Sequence, residues 1–144
     1  MSINVNDLRI TKLRNYLFNV ISEINENYKQ INADFLSDDI NNYSLDKIPT
    51  ASVVEQWIIG DTIRKDVYSF RSRMAYSTDV ITNIENIGFY ELFEKVIAQK
   101  NENNELPEID GIQSIRCLNC GTLNNANTNT AEFDIQIQID YREV

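Results

Sequence analysis

From Ala131 to Tyr141 the chain alternates without a break. Ala131, Phe133, Ile135, Ile137, Ile139 and Tyr141 share one parity, and Glu132, Asp134, Gln136, Gln138, Asp140 and Arg142 share the other. Successive side chains of a strand point to opposite faces, so this run is a β-strand with one dry and one wet side. The dry side must be covered by another layer of structure. The wet side must stay open to water or meet a polar neighbour.

The rest of the chain supplies the cover. Residues 6–28 read as an amphipathic helix, because Leu13, Tyr16, Leu17, Val20, Ile21 and Ile24 recur at spacings of three and four, with Asn6 as N-cap and Phe18 at the edge of the apolar stripe. Residues 29–50 read as an irregular excursion with at most one short strand. From Ser52 the period is two, and Gly60-Asp61 offers a hairpin turn into a long strand from Thr62 to Tyr76. On that strand Tyr68, Phe70 and Met74 lie on one side and Lys65, Ser69, Arg71 and Arg73 on the other. Residues 78–100 return to helical period, as one kinked helix or two, because Gly88 weakens its middle. Pro107 closes that element. Ile112 to Leu118 is a strand, and Gly121 to Thr130 is a polar loop joining it to the last strand in a second hairpin.

The expected fold is therefore α+β. An antiparallel or mixed sheet of two hairpins carries an N-terminal helix and one or two central helices on one face, in a single domain over residues 1–144.

Composition narrows the chemistry. There is no histidine, which removes the commonest general base and metal ligand and excludes Ser–His–Asp and Cys–His catalysis within one chain. A net charge of −9 argues against nucleic acid or an anionic membrane as the main partner. Met1 to Arg9 is polar, without a signal-peptide core, and no apolar run approaches a membrane span, so a cytoplasmic origin is expected.

Three constellations could carry function. Cys117 and Cys120, in a C-x-x-C-G turn, look like one knuckle of a zinc ribbon, but no second pair or histidine completes four ligands. Two thiols at a strand end are the simpler account, and no cofactor is expected. Arg64, Lys65, Arg71 and Arg73 are the main basic group, and Glu132, Asp134, Gln136, Gln138 and Asp140 form a polar row; both are candidates for an assembly interface. Asn124, Asn125, Asn127 and Asn129, in the loop 121–130, are candidates for docking to a neighbouring protein.

The stretch Val54-Glu55-Gln56-Trp57-Ile58-Ile59-Gly60-Asp61, the basic-aromatic strand Ile63 to Met74, the helix Asn86 to Phe93, Leu106-Pro107 and the closing Phe133 to Tyr141 together resemble the tail terminator and minor tail structural proteins of Gram-positive phages and phage-like contractile particles. The resemblance spans roughly residues 50–141. It implies a non-enzymatic subunit of a hexameric ring at the head-proximal end of a tail tube, within a virion or phage-like particle assembled in the host cytoplasm. The ring would end tube growth. Its partners would be copies of itself, tube and sheath subunits, and a head–tail connector or collar, with DNA only in passing. An acidic lumen that repels DNA would suit the net charge. Two alternatives stay open: another neck or tube protein of the same kind of particle, or a small zinc-binding module or enzyme using Cys117 and Cys120.

Overall fold

A computed structural model describes residues 3–24, 30–33, 36, 42–49, 53–56, 62–75, 80–119, 121–126 and 130–143. Among the described residues seven strands form one sheet: β1 (Gln30–Ala33), β2 (Asn42–Ile48), β3 (Val53–Gln56), β4 (Thr62–Ala75), β5 (Ile112–Cys117), β6 (Thr122–Ala126) and β7 (Thr130–Glu143). The helices α1 (Arg9–Ile24) and α2 (Val80–Glu102) pack on one face.

The alternating C-terminal segment is the spine. β7 pairs antiparallel with β4 over its whole length, from Thr62 opposite Glu143 to Ala75 opposite Thr130. β2 and β3 share the other flank of β4, at Val67–Arg73 and Thr62–Arg64. β5 and β6 share the outer flank of β7. The sheet order is β1-β2-β4-β7-β5, with β3 beside β4 and β6 beside β7. β1 runs parallel to β2, so the sheet is mixed. The α+β architecture is as expected, and Gly60-Asp61 lies outside the described residues.

The helices cover the dry face because their apolar stripes match it. Leu13, Leu17, Val20 and Ile21 of α1, with Tyr90, Phe93 and Ile97 of α2, close over Tyr43, Leu45, Tyr68, Phe70, Met74 and the apolar parity of β7. Tyr43 stacks on Phe70 at 5.3 Å, Phe70 on Phe93 at 5.4 Å, and Tyr90 meets Phe133 at 5.1 Å. Such ring pairs add to burial by fixing orientation. Polar ties set the position of α2. The Tyr90 and Ser72 hydroxyls share a close buried hydrogen bond, and Asn86 Nδ2 donates to the Ala75 carbonyl at 2.7 Å.

Several local expectations change. α2 is one continuous helix through Gly88, because core contacts at Tyr90, Phe93 and Ile97 outweigh the roughly 1 kcal/mol propensity cost of one glycine. It ends in a left-handed cap at Asn104 (φ 59°), with Glu105 N–H donating to the Lys100 carbonyl at 2.8 Å. The capping asparagine at the N-terminus is Asn4, not Asn6: it caps a short 3-10 turn, Val5–Asp7, and α1 starts after it. Within 29–50 there are two strands, not an irregular excursion. The alternation of Tyr43 and Leu45 with Ser44 and Asp46 is brief and easily missed, and β1 is only four residues long and is defined by its parallel backbone pairing with β2.

The loop expected over 121–130 is a strand at Thr122–Ala126. β5 ends at Cys117, so the outer edge of β7 at Ala131–Asp134 is left open, and β6 continues in the same direction along that edge. Backbone pairing satisfies otherwise orphaned amides whatever the side chains, which is why an asparagine-rich composition hid it.

Candidate functional site

The face of the sheet opposite the helices is mainly polar, with Ile48, Ile63 and the buried Val67 the apolar members on its parity, and no helix covers it among the described residues. Strand parity assigns it. Asp46 of β2, Lys65, Ser69, Arg71 and Arg73 of β4, Glu132, Asp134, Gln136, Gln138 and Asp140 of β7, and Ser114 and Arg116 of β5 all point to this side. The structure therefore brings together all of the expected polar row and three of the four expected cations.

Arg64 is the exception. It stands opposite Tyr141 on the helix-covered side and forms an ion pair with Glu143 at the end of the ribbon. Adjacent residues on a regular strand cannot share a face, so Arg64 and Lys65 had to separate.

Arg71 is the centre of this surface. Its guanidinium ion-pairs with Asp46 on one side and donates from Nη1 to Glu132 Oε1 at 3.1 Å on the other, joining β2, β4 and β7. Burial alone would lower the Arg71 pKa. Hydrogen bonding and charge from Asp46, and then Glu132, outweigh that and raise it. Ser44 Oγ donates to Asp46 at 2.7 Å, and Ser69 Oγ donates to Asp134 at 2.5 Å. Further along, Ser114 Oγ and Gln138 Nε2 converge on Asp140 at 3.2 and 2.8 Å. In register Arg71 faces Asp134, yet it bonds the diagonal neighbour Glu132; Ser69 faces Gln136 and bonds the diagonal Asp134. The right-handed twist of strands brings such diagonals together.

Two consequences follow. Many of the expected interface residues already answer one another within the chain, so they act first as cross-strand ties. The face is also not acidic: Lys65, Arg71, Arg73, Arg116 and Arg142 offset Asp46, Glu132, Asp134 and Asp140. An acidic lumen wall is not formed by this surface.

The other candidates are placed as follows. Asn124 and Asn125 lie on β6, with Asn125 opposite Glu132, so they belong to a strand and not to a loop. Asn127 and Asn129 lie outside the described residues, as does Cys120. Cys117 faces Ile137 on the helix side of β5 and packs half-buried against the core. No group of three or more metal-ligating side chains occurs among the described residues.

One cluster was not anticipated. The Asp66 side chain, only 3% exposed, lies under the start of α1. Arg9 Nε donates to it at 2.7 Å, the Tyr68 hydroxyl at 3.1 Å, and Lys47 Nζ stands 3.6 Å away. The Arg9 guanidinium also sits 4.5 Å above the Tyr141 ring. Burial works against the charge on Arg9, but the bond and charge of Asp66 raise its pKa. Beside it is an open groove of about 550 Å³ lined by Arg9, Lys12, Asp110 and Tyr141 among others. The sequence did carry a signal. Asp66 has the parity of Tyr68 and Phe70, and a carboxylate on a dry face requires a cationic partner.

A scan against models of known protein families finds no match to this chain, and a search of curated proteins finds none either.

Proposed function

We propose that the chain is a non-catalytic assembly subunit that forms a ring closing the tube of a phage-type tail. One observation carries this reading. The two 14-residue strands β4 and β7 pair along their full length and present a face that no helix covers among the described residues, where Arg71 is paired with Asp46 and Glu132 and Asp134 is held by Ser69. A broad, charge-balanced, rigid β-surface suits stacking against protein or lining a passage. Enzymes instead gather polar groups at the bottom of a mostly apolar cleft. The resemblance over roughly residues 50–141 supplies the kind of particle, and the head-proximal position is that of its terminators.

Negative-stain electron microscopy of the purified chain tests the proposal. Discrete single rings are expected. Extended polymeric tubes would assign the chain to tube subunits instead. A chain that stays monomeric, alone and beside tail tubes, would exclude ring formation.

A further inference from the structure

We infer that copies of this chain meet head to tail, the exposed Ile84, Ile87 and Leu92 of α2 in one copy docking on the N-terminal lip of the next. The inference deepens the ring reading by naming its contact, and it rests on that reading in requiring that copies associate.

On α2, Ile84, Ile87 and Leu92 are 59%, 57% and 45% exposed. Ile84 lies three residues from Ile87 and four from Gly88, and Leu92 lies four beyond Gly88, so together they span the solvent side of the helix. At the N-terminus, Ile3, Val5 and Leu8 are 71%, 62% and 40% exposed around the 3-10 turn. Clustered exposed aliphatic residues of this kind mark contact surfaces.

The two patches cannot cover each other within one chain. The start of α1 is tied to Asp66 and Tyr141 by Arg9, whereas the start of α2 is tied to Ala75 by Asn86. Asp66 and Ala75 are nine residues apart on β4, about 30 Å along an extended strand.

Their charges are complementary. From Val80 to Glu94, α2 carries Glu85, Glu91 and Glu94 and no base. From Arg9 to Ser22, α1 carries Arg9, Lys12 and Arg14 and no acid, with Asp7 just ahead of it. A two-fold pairing of α2 with α2, or of α1 with α1, would set like charges face to face. Pairing α2 with the lip and the first turns of α1 sets Glu85, Glu91 and Glu94 against Lys12 and Arg14, with Asp7 the one acid on that side. A contact between two different patches is heterologous: it propagates from copy to copy and closes into a ring where the rotation allows.

The test uses two full-length variants, Ile87→Asp and Val5→Asp, sized by light scattering after gel filtration. Both positions are exposed, so circular dichroism should show the fold retained. Each variant alone should lose the wild-type oligomer and elute as the 16.7 kDa chain. Mixed together, they should form a one-to-one pair of twice that mass, because Ile87→Asp keeps an intact lip and Val5→Asp keeps an intact α2 patch. A mixture that stays monomeric would overturn the head-to-tail contact. Variants that keep the wild-type oligomer would also overturn it while leaving the ring reading standing. A wild-type chain that is monomeric at the highest soluble concentration and also beside tail tubes would sink both.

Discussion

Glycine is used here at two kinds of position, and substitution should separate them. Gly121 has φ +63°, and a Cβ built there would lie 2.6 Å from Tyr90 Cγ; Gly111 has φ +76°, with a Cβ 2.1 Å from the Arg142 carbonyl oxygen. Alanine at either site meets both backbone strain and a hard clash, so Gly121→Ala and Gly111→Ala should each lose about 2 kcal/mol or more. At Gly88 nothing lies within 4 Å and the backbone is helical, so Gly88→Ala should gain about 0.5–1 kcal/mol. Urea unfolding of the three variants checks the opposite signs. Arg71 offers a second test at this scale. Arg71→Ala would leave Asp46 and Glu132 half-buried and facing each other, at a cost of about 1–3 kcal/mol. Adding Asp46→Asn and Glu132→Gln should recover part of that loss, and a mutant cycle in chemical denaturation measures how much. If Arg71→Ala alone is neutral, the three-strand tie contributes nothing.

At the scale of elements, what was legible depended on how local the deciding interaction is. β7, β4, α1 and α2 each write their own period into the sequence, because burial on one face selects the side chains directly. β1 and β6 do not, since they exist through backbone pairing with strands already placed; Asn125 opposite Glu132 reports no preference of its own. The polar row of the candidate surface was legible from parity, and the separation of Arg64 from Lys65 follows from the same rule. The Arg9–Asp66 tie was not, because it joins residues 57 positions apart. Asparagine side chains also act where the ladder is incomplete. Asn101 Oδ1, at the end of α2, accepts the outward Ile115 N–H of edge strand β5 at 3.0 Å, and Asn119 Oδ1 accepts the Gln136 N–H of β7 between β5 and β6 at 3.0 Å. An edge whose amide is already bonded is a poor template for an intruding strand. Asn101→Ala should cost about 1 kcal/mol, and amide exchange at Ile115 should quicken relative to its neighbours on β7. Unchanged exchange at Ile115 would mean the side chain does not guard the edge.

The core is rich in aromatic residues and the chain contains no histidine, so no imidazole titrates near neutrality and the buried tyrosines make stability respond to alkali. Tyr16, Tyr68, Tyr90 and Tyr141 all hold their protons more tightly than the ordinary value of 10.0, with burial the leading cause at each. Nearby acids add to it: Glu105 at Tyr16, and Asp66 at Tyr68 and Tyr141. In the unfolded chain these phenols ionise near pH 10; in the folded chain they stay protonated. Above pH 10 the folded state therefore binds more protons than the unfolded one, and stability falls as pH rises. The slope is about 1.4 kcal/mol per pH unit for each phenol fully withheld from ionisation. Tyr68 and Tyr90, only 1% and 3% exposed, should supply most of it. Tyr90→Phe separates this effect from packing. At neutral pH it loses the bond to Ser72 and should be less stable by about 1 kcal/mol. As pH climbs past 10 the deficit should shrink and then reverse, because phenylalanine has no proton to lose on unfolding. Urea unfolding from about pH 8 to pH 11.5 reads both curves. Parallel curves would mean that the Tyr90 hydroxyl titrates in the folded protein as it does in water, and that the helix layer does not seal the sheet at this point.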